Sequence, residues 1–487
     1  MKKTYLWYDY ETFGADPKRD RISQFAGVRT DENFQVIDEM VYYCKLAEDY
    51  LPNPEASIIT GITPQEAIEK GITENELAEI LFKEFTKNGT VTIGYNSIKF
   101  DDEVTRNFFY RTFRDPYERE WKNNCSRWDL MRAILGVYVM KPELLNWPVK
   151  DDGRESFRLE ELSIENGIIH ENAHDAKSDV YATIGLAELI NKKSPSVFNY
   201  FFSLKDKEFV KSELSKDELF LHIDFGYGYD RGYASLVYKM GDFIKSGDKN
   251  AFLFIDVFSD VDALENMSLD EIKEYLYYST EKLNEIEKER PGLKQIRINQ
   301  SPLIIPYKSL REKPGFLENM AENLQEKLEK IKLLSSKRKN EFLKVFMREE
   351  DDVETDADLD IYGSFATPRD RREMESFHRE NYEYVPKFKD KKYRELYFRF
   401  IGRNMPEIFT VDEMSKWKEH CYQCISEERE GFQNMASLKN EISKLEKKYR
   451  GEREKLGILK EIKEYAENLE KKLKTESIKP GEQLKMF

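Results

Sequence analysis

The sequence predicts a multidomain α+β chain, and three observations carry that reading. An aromatic run at the start alternates like a strand and is followed by two more strand-like runs and a series of helix starts. The middle of the chain has short strands separated by Gly- and Asp-rich turns. The last third places apolar residues at helical spacing. With 487 residues there is room for about two to four domains with sizeable cores.

The opening strand is Tyr5-Leu6-Trp7-Tyr8-Asp9-Tyr10-Glu11-Thr12-Phe13, closed by Gly14. Side chains alternate faces along a strand, so Asp9 and Glu11 share a face, roughly 7 Å apart. Its aromatic flanks predict a buried strand rather than a solvated edge. Two carboxylates enclosed together repel each other until a divalent cation sits between them, and oxygen donors suit Mg²⁺ and Mn²⁺.

Strand-like runs follow at Ile22–Thr30 and Phe34–Lys45, an antiparallel meander by their short turns. At Thr60-Gly61-Ile62-Thr63-Pro64-Gln65-Glu66, Thr63 is the expected N-cap of a helix, Pro64 its first residue and Glu66 the partner of a capping box. Thr90–Asn96 is the next strand. Beyond it Asp101, Asp102 and Glu103 stand at a helix start, where acids suit the helix dipole and where one reaches a metal. Ala176–Asn191 reads as a helix with Val180, Ile184, Ala187 and Ile190 on its apolar face; Asp179 lies in its first turns. His174, at the junction before it, is placed to serve as a general base.

Composition narrows the classes. Hydrophobic residues are 40% and charged residues 35%, as in a soluble globular chain with polar surfaces. No apolar run reaches transmembrane length, and Met1-Lys2-Lys3-Thr4 leads straight into a strand, so a cytoplasmic protein without membrane contact is expected. Cys44, Cys125, Cys421 and Cys424 are too few and scattered for a disulfide framework. Cys421-Tyr-Gln-Cys424 follows His420 but lacks a second ligand pair for zinc and sits in a helical stretch, so it is read as structural. The formal net charge of −15 argues against a uniformly basic nucleic-acid binder, though not against a local basic groove.

In the middle region, Leu221–Lys239, Ala251–Val261, Gln295–Asn299 and Pro302–Pro306 read as strands, together a small barrel with helical insertions. The aromatics Phe225, Tyr227, Tyr229, Tyr233 and Tyr238 are read chiefly as its core. Residues 316–349 are a Lys/Glu-rich helical stretch, followed by an acidic linker at Glu349–Asp360. Helices are expected over Pro368–Glu380, Lys392–Asn404, Val411–Cys424 and a long tract from Glu428 to about Glu476. In that tract Gly451 and Gly457 interrupt the register, which favours packing on the domain or a hairpin over a dimerising coiled coil.

Taken together, Asp-x-Glu on the first strand, Phe100-Asp101 in the middle and His174-x-x-x-x-Asp179 late follow the order of the DEDDh exonucleases. Asp9-Tyr-Glu-Thr-Phe-Gly14, Ile59-Thr-Gly-Ile-Thr-Pro-Gln-Glu-Ala67, Phe100-Asp-Asp-Glu-Val-Thr-Arg-Asn107, Ser126-Arg-Trp-Asp-Leu130, Asn146-Trp-Pro148, Ser156-Phe-Arg-Leu-Glu160 and Asn172-Ala-His-Asp-Ala176 resemble the bacterial exonuclease I family. The resemblance is dense to about residue 193 and thinner beyond. It implies a ribonuclease H-like exonuclease domain (1–193) with a mixed sheet flanked by helices, a Src-homology-3-like β-barrel domain (194–349), a helical C-terminal domain (350–476) and a tail (477–487).

The same resemblance implies 3′→5′ degradation of single-stranded DNA, in DNA repair, by two Mg²⁺ ions (Mn²⁺ as substitute). Asp9, Glu11, Asp101 and Asp179 match the metal-binding carboxylates and His174 the base. Asp102 is the rival of Asp101, but the family motif puts the ligand directly after Phe100. Arg106, Tyr117, Trp121 and Arg158 match DNA contacts, with Glu11 also at the substrate. Guanidinium suits phosphate and aromatic faces suit bases. The family also binds the acidic tail of single-stranded DNA-binding protein, for which Lys141 and Arg311 are candidates. Gln483-Leu484-Lys485-Met486-Phe487 resembles the peptide that docks bacterial repair proteins on the sliding clamp, with Leu484, Met486 and Phe487 as anchors and Gln483 fixing orientation. A monomer is expected. The alternatives are another DEDDh enzyme, proofreading or RNA-directed, and an adaptor without nuclease activity.

Overall fold

The computed structural model describes residues 3–168, 176–243, 247–310, 323–347 and 355–476. The chain divides into two compact units. One comprises residues up to 127, 169–184 and 353 onward, the other 128–168 and 185–352.

The first unit is built on a five-stranded sheet. Its strands are β1 (Thr4–Thr12), β2 (Ile22–Thr30), β3 (Val36–Tyr43), β4 (Thr90–Gly94) and β5 (Ser126–Asp129), in the order β3-β2-β1-β4-β5. β1 pairs antiparallel with β2 and parallel with β4, so the sheet is mixed and β1 is central. That is why the aromatic run is buried: Leu6, Tyr8 and Tyr10 enter one core with Phe25, Phe85 and Phe108. β3 is shorter than the expected run because Phe34 turns at φ 63°.

Thr63 caps its helix as expected, accepting from the Glu66 amide at 3.3 Å. The reciprocal half of the capping box is not formed, since the Glu66 carboxylate faces Lys70 at 2.7 Å. The helix Ala176–Lys193 buries Val180, Ile184, Ala187 and Ile190.

The C-terminal helices belong to this unit: Pro368–Arg379, Lys391–Asn404, Val411–Ser426, Met435–Lys448 and Arg453–Glu476. The long final tract is two helices joined at a turn in which Gly451 adopts φ +98°. Gly457 does not interrupt the second; it lies inside it. Leu438, Ile442, Leu445, Leu459, Ile462 and Leu469 share one core with Trp417 and with Leu51 and Ile58. The apolar stripe is therefore consumed within the domain. Cys421 and Cys424 are buried free thiols in this region.

A buried ion network ties the C-terminal helices to the rest of this unit. Arg403 binds Asp49 at 2.6 Å and also Asp358. Arg399 reaches Asp358 at 3.1 Å and Arg21 reaches it at 3.4 Å.

The second unit holds an antiparallel sheet of β6 (Leu219–Ile223), β7 (Ala234–Asp242), β8 (Ala251–Asp256), β9 (Leu293–Arg297) and β10 (Leu303–Pro306), ordered β10-β6-β7-β8-β9. The expected strand Leu221–Lys239 is two strands with short 3₁₀ turns between them, where Gly228 and Gly232 take positive φ. Ala251–Val261 ends as a strand at Asp256, and Val261 opens a helix. Tyr227 and Tyr238 are buried, while Tyr229 is exposed. Among the described residues no helix is long and apolar enough to cross a membrane.

Candidate metal centre

The site follows from the alternation of β1. Its even residues fill the core, which leaves Asp9 and Glu11 together on the other face. Asp179 comes to them from the first turn of the helix Ala176–Lys193. Asp9, Glu11 and Asp179 each offer an oxygen within 4.8 Å of the others. Asp101, the first residue of the helix Asp101–Arg111, is buried and accepts from the Tyr10 amide of β1 at 3.3 Å.

Burial, and then the like charges of Asp101, Glu11 and Asp179, push the Asp9 carboxyl well above the usual carboxylate range. The donor set is all carboxylate oxygen, converging and mutually repelling. It fits a hard divalent cation of the Mg²⁺, Mn²⁺ or Ca²⁺ kind, whose charge reverses that repulsion.

Asp101 and Asp102 differ in their partners. Asp102 is 1% exposed and ion-paired with Arg119 and Arg127. It also accepts from the Tyr8 hydroxyl at 2.7 Å. Burial raises its pKa, but Arg119, Arg127 and Arg106 outweigh that and hold it well below the usual range. Asp102 is thus neutralised by the protein's own cations.

Arg106 sits on the same helix as Asp101. Its guanidinium is shared between Glu103 and Glu120, the latter at 2.8 Å, and lies 5.4 Å from the centre of the Tyr117 ring. Trp121, at the end of the short helix Glu118–Trp121, is 64% exposed, so an aromatic face is open to solvent. Arg158, in the second unit, is 78% exposed and meets Glu161 at 3.5 Å. Lys141, also in the second unit, lies 3.9 Å from Glu143. His174, Arg311, Gln483, Leu484, Met486 and Phe487 lie outside the described residues.

Sequence reasoning passed over Arg119, Arg127, Glu120 and Tyr362. Arg127 stands in the Ser126-Arg-Trp-Asp-Leu130 motif, but its partner Asp102 is visible only once β5 lies in the sheet. Tyr362 donates to Glu103, 259 residues away in the sequence, which no local pattern announces.

A mixed sheet of this order, with acids on its central strand and on two flanking helices, defines a ribonuclease H-like nuclease domain. Residues 6–186 match the family described as "Exonuclease". Residues 205–348 match "Exonuclease I SH3-like domain" and residues 355–469 "Exonuclease I C-terminal domain". Exodeoxyribonuclease I of Escherichia coli K12 is 36% identical over 479 residues, covering 96% of this chain and 98% of its own. Exodeoxyribonuclease I of Haemophilus influenzae is 37% identical over 476 residues, covering 95% and 98%.

The crystal structure of E. coli exonuclease I with a dA16 oligonucleotide superposes with a TM-score of 0.87 at 35% identity, covering 96% of this chain and 100% of that one. The zinc-bound form of the E. coli enzyme with single-stranded DNA gives 0.85 at 34% identity, and a structure described as SSB/exonuclease I in complex with an inhibitor gives 0.84 at 34%; each covers 96% of this chain and 100% of that one. The chain belongs to the exonuclease I family.

Proposed function

We propose that the chain is a divalent-metal-dependent exodeoxyribonuclease that degrades single-stranded DNA from the 3′ end and releases 5′-mononucleotides, acting in DNA repair. The observation that carries this is the convergence of the Asp9, Glu11 and Asp179 oxygens within 4.8 Å. It stands in a chain similar over nearly its whole length to exodeoxyribonucleases I.

Asp9, Glu11, Asp101 and Asp179 would hold two Mg²⁺ ions, with Mn²⁺ as a substitute. When bound, such ions stabilise charge on the scissile phosphate and acidify a water. His174 takes the proton of the attacking water. The new bond joins that water's oxygen to phosphorus, the P–O3′ bond breaks, and the departing O3′ takes a proton from solvent water, so that the shortened strand ends in a 3′ hydroxyl. Arg106 and Arg158 hold phosphates, and Tyr117 and Trp121 offer faces to bases. Glu11 touches the terminal nucleotide as well as the metal. The boundaries 1–193, 194–349, 350–476 and 477–487 separate nuclease, barrel, helical domain and tail. The working site is the cytoplasm.

Two partners extend this reading. Lys141 and Arg311 supply positive charge for the acidic tail of single-stranded DNA-binding protein; binding of that partner is supported by a similar structure described as SSB/exonuclease I. Gln483, Leu484, Met486 and Phe487 dock the tail on the sliding clamp. Deleting Gln483–Phe487 is expected to abolish clamp binding in a pull-down and leave cleavage unchanged; retained binding removes the assignment.

The test of the activity uses a 5′-labelled single-stranded DNA, with RNA and duplex controls. A ladder shortening from the 3′ end is expected with Mg²⁺ and DNA alone, lost in EDTA and in His174→Ala and Asp101→Ala. A ladder on RNA overturns the substrate. No cleavage under any divalent metal turns the reading toward an adaptor.

A further inference from the structure

Asp101 and Asp102 are the first two residues of one helix, and the structure gives them opposite surroundings. Asp101 lies against β1, beside Asp9. Asp102 is fixed from several sides: by Arg119, by Arg127, by the Tyr8 hydroxyl at 2.7 Å, and through its own amide, which donates to Ser97 O at 2.8 Å. Each of those contacts leads to a different element of the site. Tyr8 precedes Asp9 on β1. Arg119 is fully buried and donates to Thr92 of β4 at 3.1 Å. Arg127 belongs to β5, and its Nε reaches Glu120 at 3.1 Å. Glu120 in turn holds Arg106.

We propose that Asp102 is a positioning residue. Its ion pairs with Arg119 and Arg127 and its hydrogen bond from Tyr8 lock the helix start against β1, so that Asp101 stays aligned with the cation site of Asp9, Glu11 and Asp179. Through Arg127 and Glu120 that alignment is joined to Arg106. The inference rests on the nuclease reading and deepens it. Asp102 is itself too enclosed to meet substrate, so it acts through Asp101. The physical ground is general: groups that orient ligands govern metal affinity nearly as strongly as the ligands themselves. Removing the charge leaves two buried guanidiniums to rearrange around the helix start.

The experiment uses the full-length protein and three variants: Asp102→Asn, Arg127→Gln and, as a comparison, Arg403→Gln in the C-terminal ion network. Mn²⁺ is titrated calorimetrically without DNA, thermal melts report folding, and kcat and KM are measured on a single-stranded oligonucleotide. Asp102→Asn is expected to weaken Mn²⁺ binding by about 10-fold or more and to lower kcat by a similar factor, with KM nearly unchanged. Arg127→Gln shifts Mn²⁺ binding in the same direction by less. Arg403→Gln lowers the melting temperature yet keeps the wild-type Mn²⁺ affinity, which separates positioning from loss of stability.

A folded Asp102→Asn with wild-type Mn²⁺ affinity overturns the proposal. Where Asp102→Asn fails to fold, Arg127→Gln decides: wild-type affinity there overturns it equally. If the wild type binds Mn²⁺ but cuts no DNA, the nuclease reading fails, while the titration still decides the role of Asp102.

Discussion

Asp9 and Asp358 are both enclosed carboxylates of the same compact unit, yet their surroundings move them in opposite directions. Burial and the neighbouring acids Asp101, Glu11 and Asp179 raise the pKa of Asp9. At Asp358 burial also raises it, but Arg403 and Arg399 outweigh that and carry it well below the usual range. Asp102 belongs with Asp358, although its neighbour Asp101 bears on Asp9. The difference teaches what each acid is for. An acid neutralised by the protein's own guanidiniums holds elements together. An acid crowded by other acids ionises cheaply only where a cation from outside meets its charge.

The contrast is broken most severely at the crowded end. Asp9→Asn is expected to remove several kcal/mol of transition-state stabilisation, on the order of 10³ in rate, with little loss of fold. Steady-state kinetics beside a thermal melt checks this. At the paired end the effect falls on stability instead. Arg403→Met strands Asp49, leaves Asp358 to Arg399 and Arg21 alone, and is expected to cost about 3–5 kcal/mol in denaturant unfolding. The fraction that remains folded keeps its rate per site.

The pH dependence sharpens the same contrast. Burial raises the Asp49 carboxyl, but Arg403 and Arg21 pull it from the ordinary 3.8 down to about 2. A depressed acid contributes stability that is present above its unfolded pKa and lost as pH falls through its folded one. Urea unfolding should therefore lose about 2 kcal/mol from this acid between about pH 4 and pH 2. Asp9 acts with the other sign: in metal-free protein its raised pKa makes stability fall as pH rises through it. The last effect, of similar size, falls on binding at Trp121. Trp121→Ala, at 64% exposure, is expected to weaken oligonucleotide binding by about 1–3 kcal/mol, read as a higher KM with kcat unchanged.

How much of this was legible in the sequence differs by residue. The shared face of Asp9 and Glu11 follows from strand alternation alone, and the structure places Asp179 beside them. The helix face of Val180, Ala187 and Ile190 is equally a matter of period. The different surroundings of Asp101 and Asp102 are not, because adjacent identical residues differ only in what the fold brings to them. Arg119 carries no local signal and Arg127 only its place in a short motif, and each meets Asp102 only in the folded chain. Glu66 shows the limit of a local rule: its spacing fits a capping box, yet its carboxylate pairs with Lys70 one turn on. The C-terminal tract could be read as helical, but only the Trp417, Leu51 and Ile58 core shows what its stripe is packed against.

The measurement that tests the central claim most directly is an anomalous difference map from crystals soaked in Mn²⁺ without DNA. The account predicts density among the carboxylates of Asp9, Glu11 and Asp179, within reach of Asp101, and none beside Asp102, Asp49 or Asp358. Density at an arginine-paired acid, or none at the crowded ones, would contradict it.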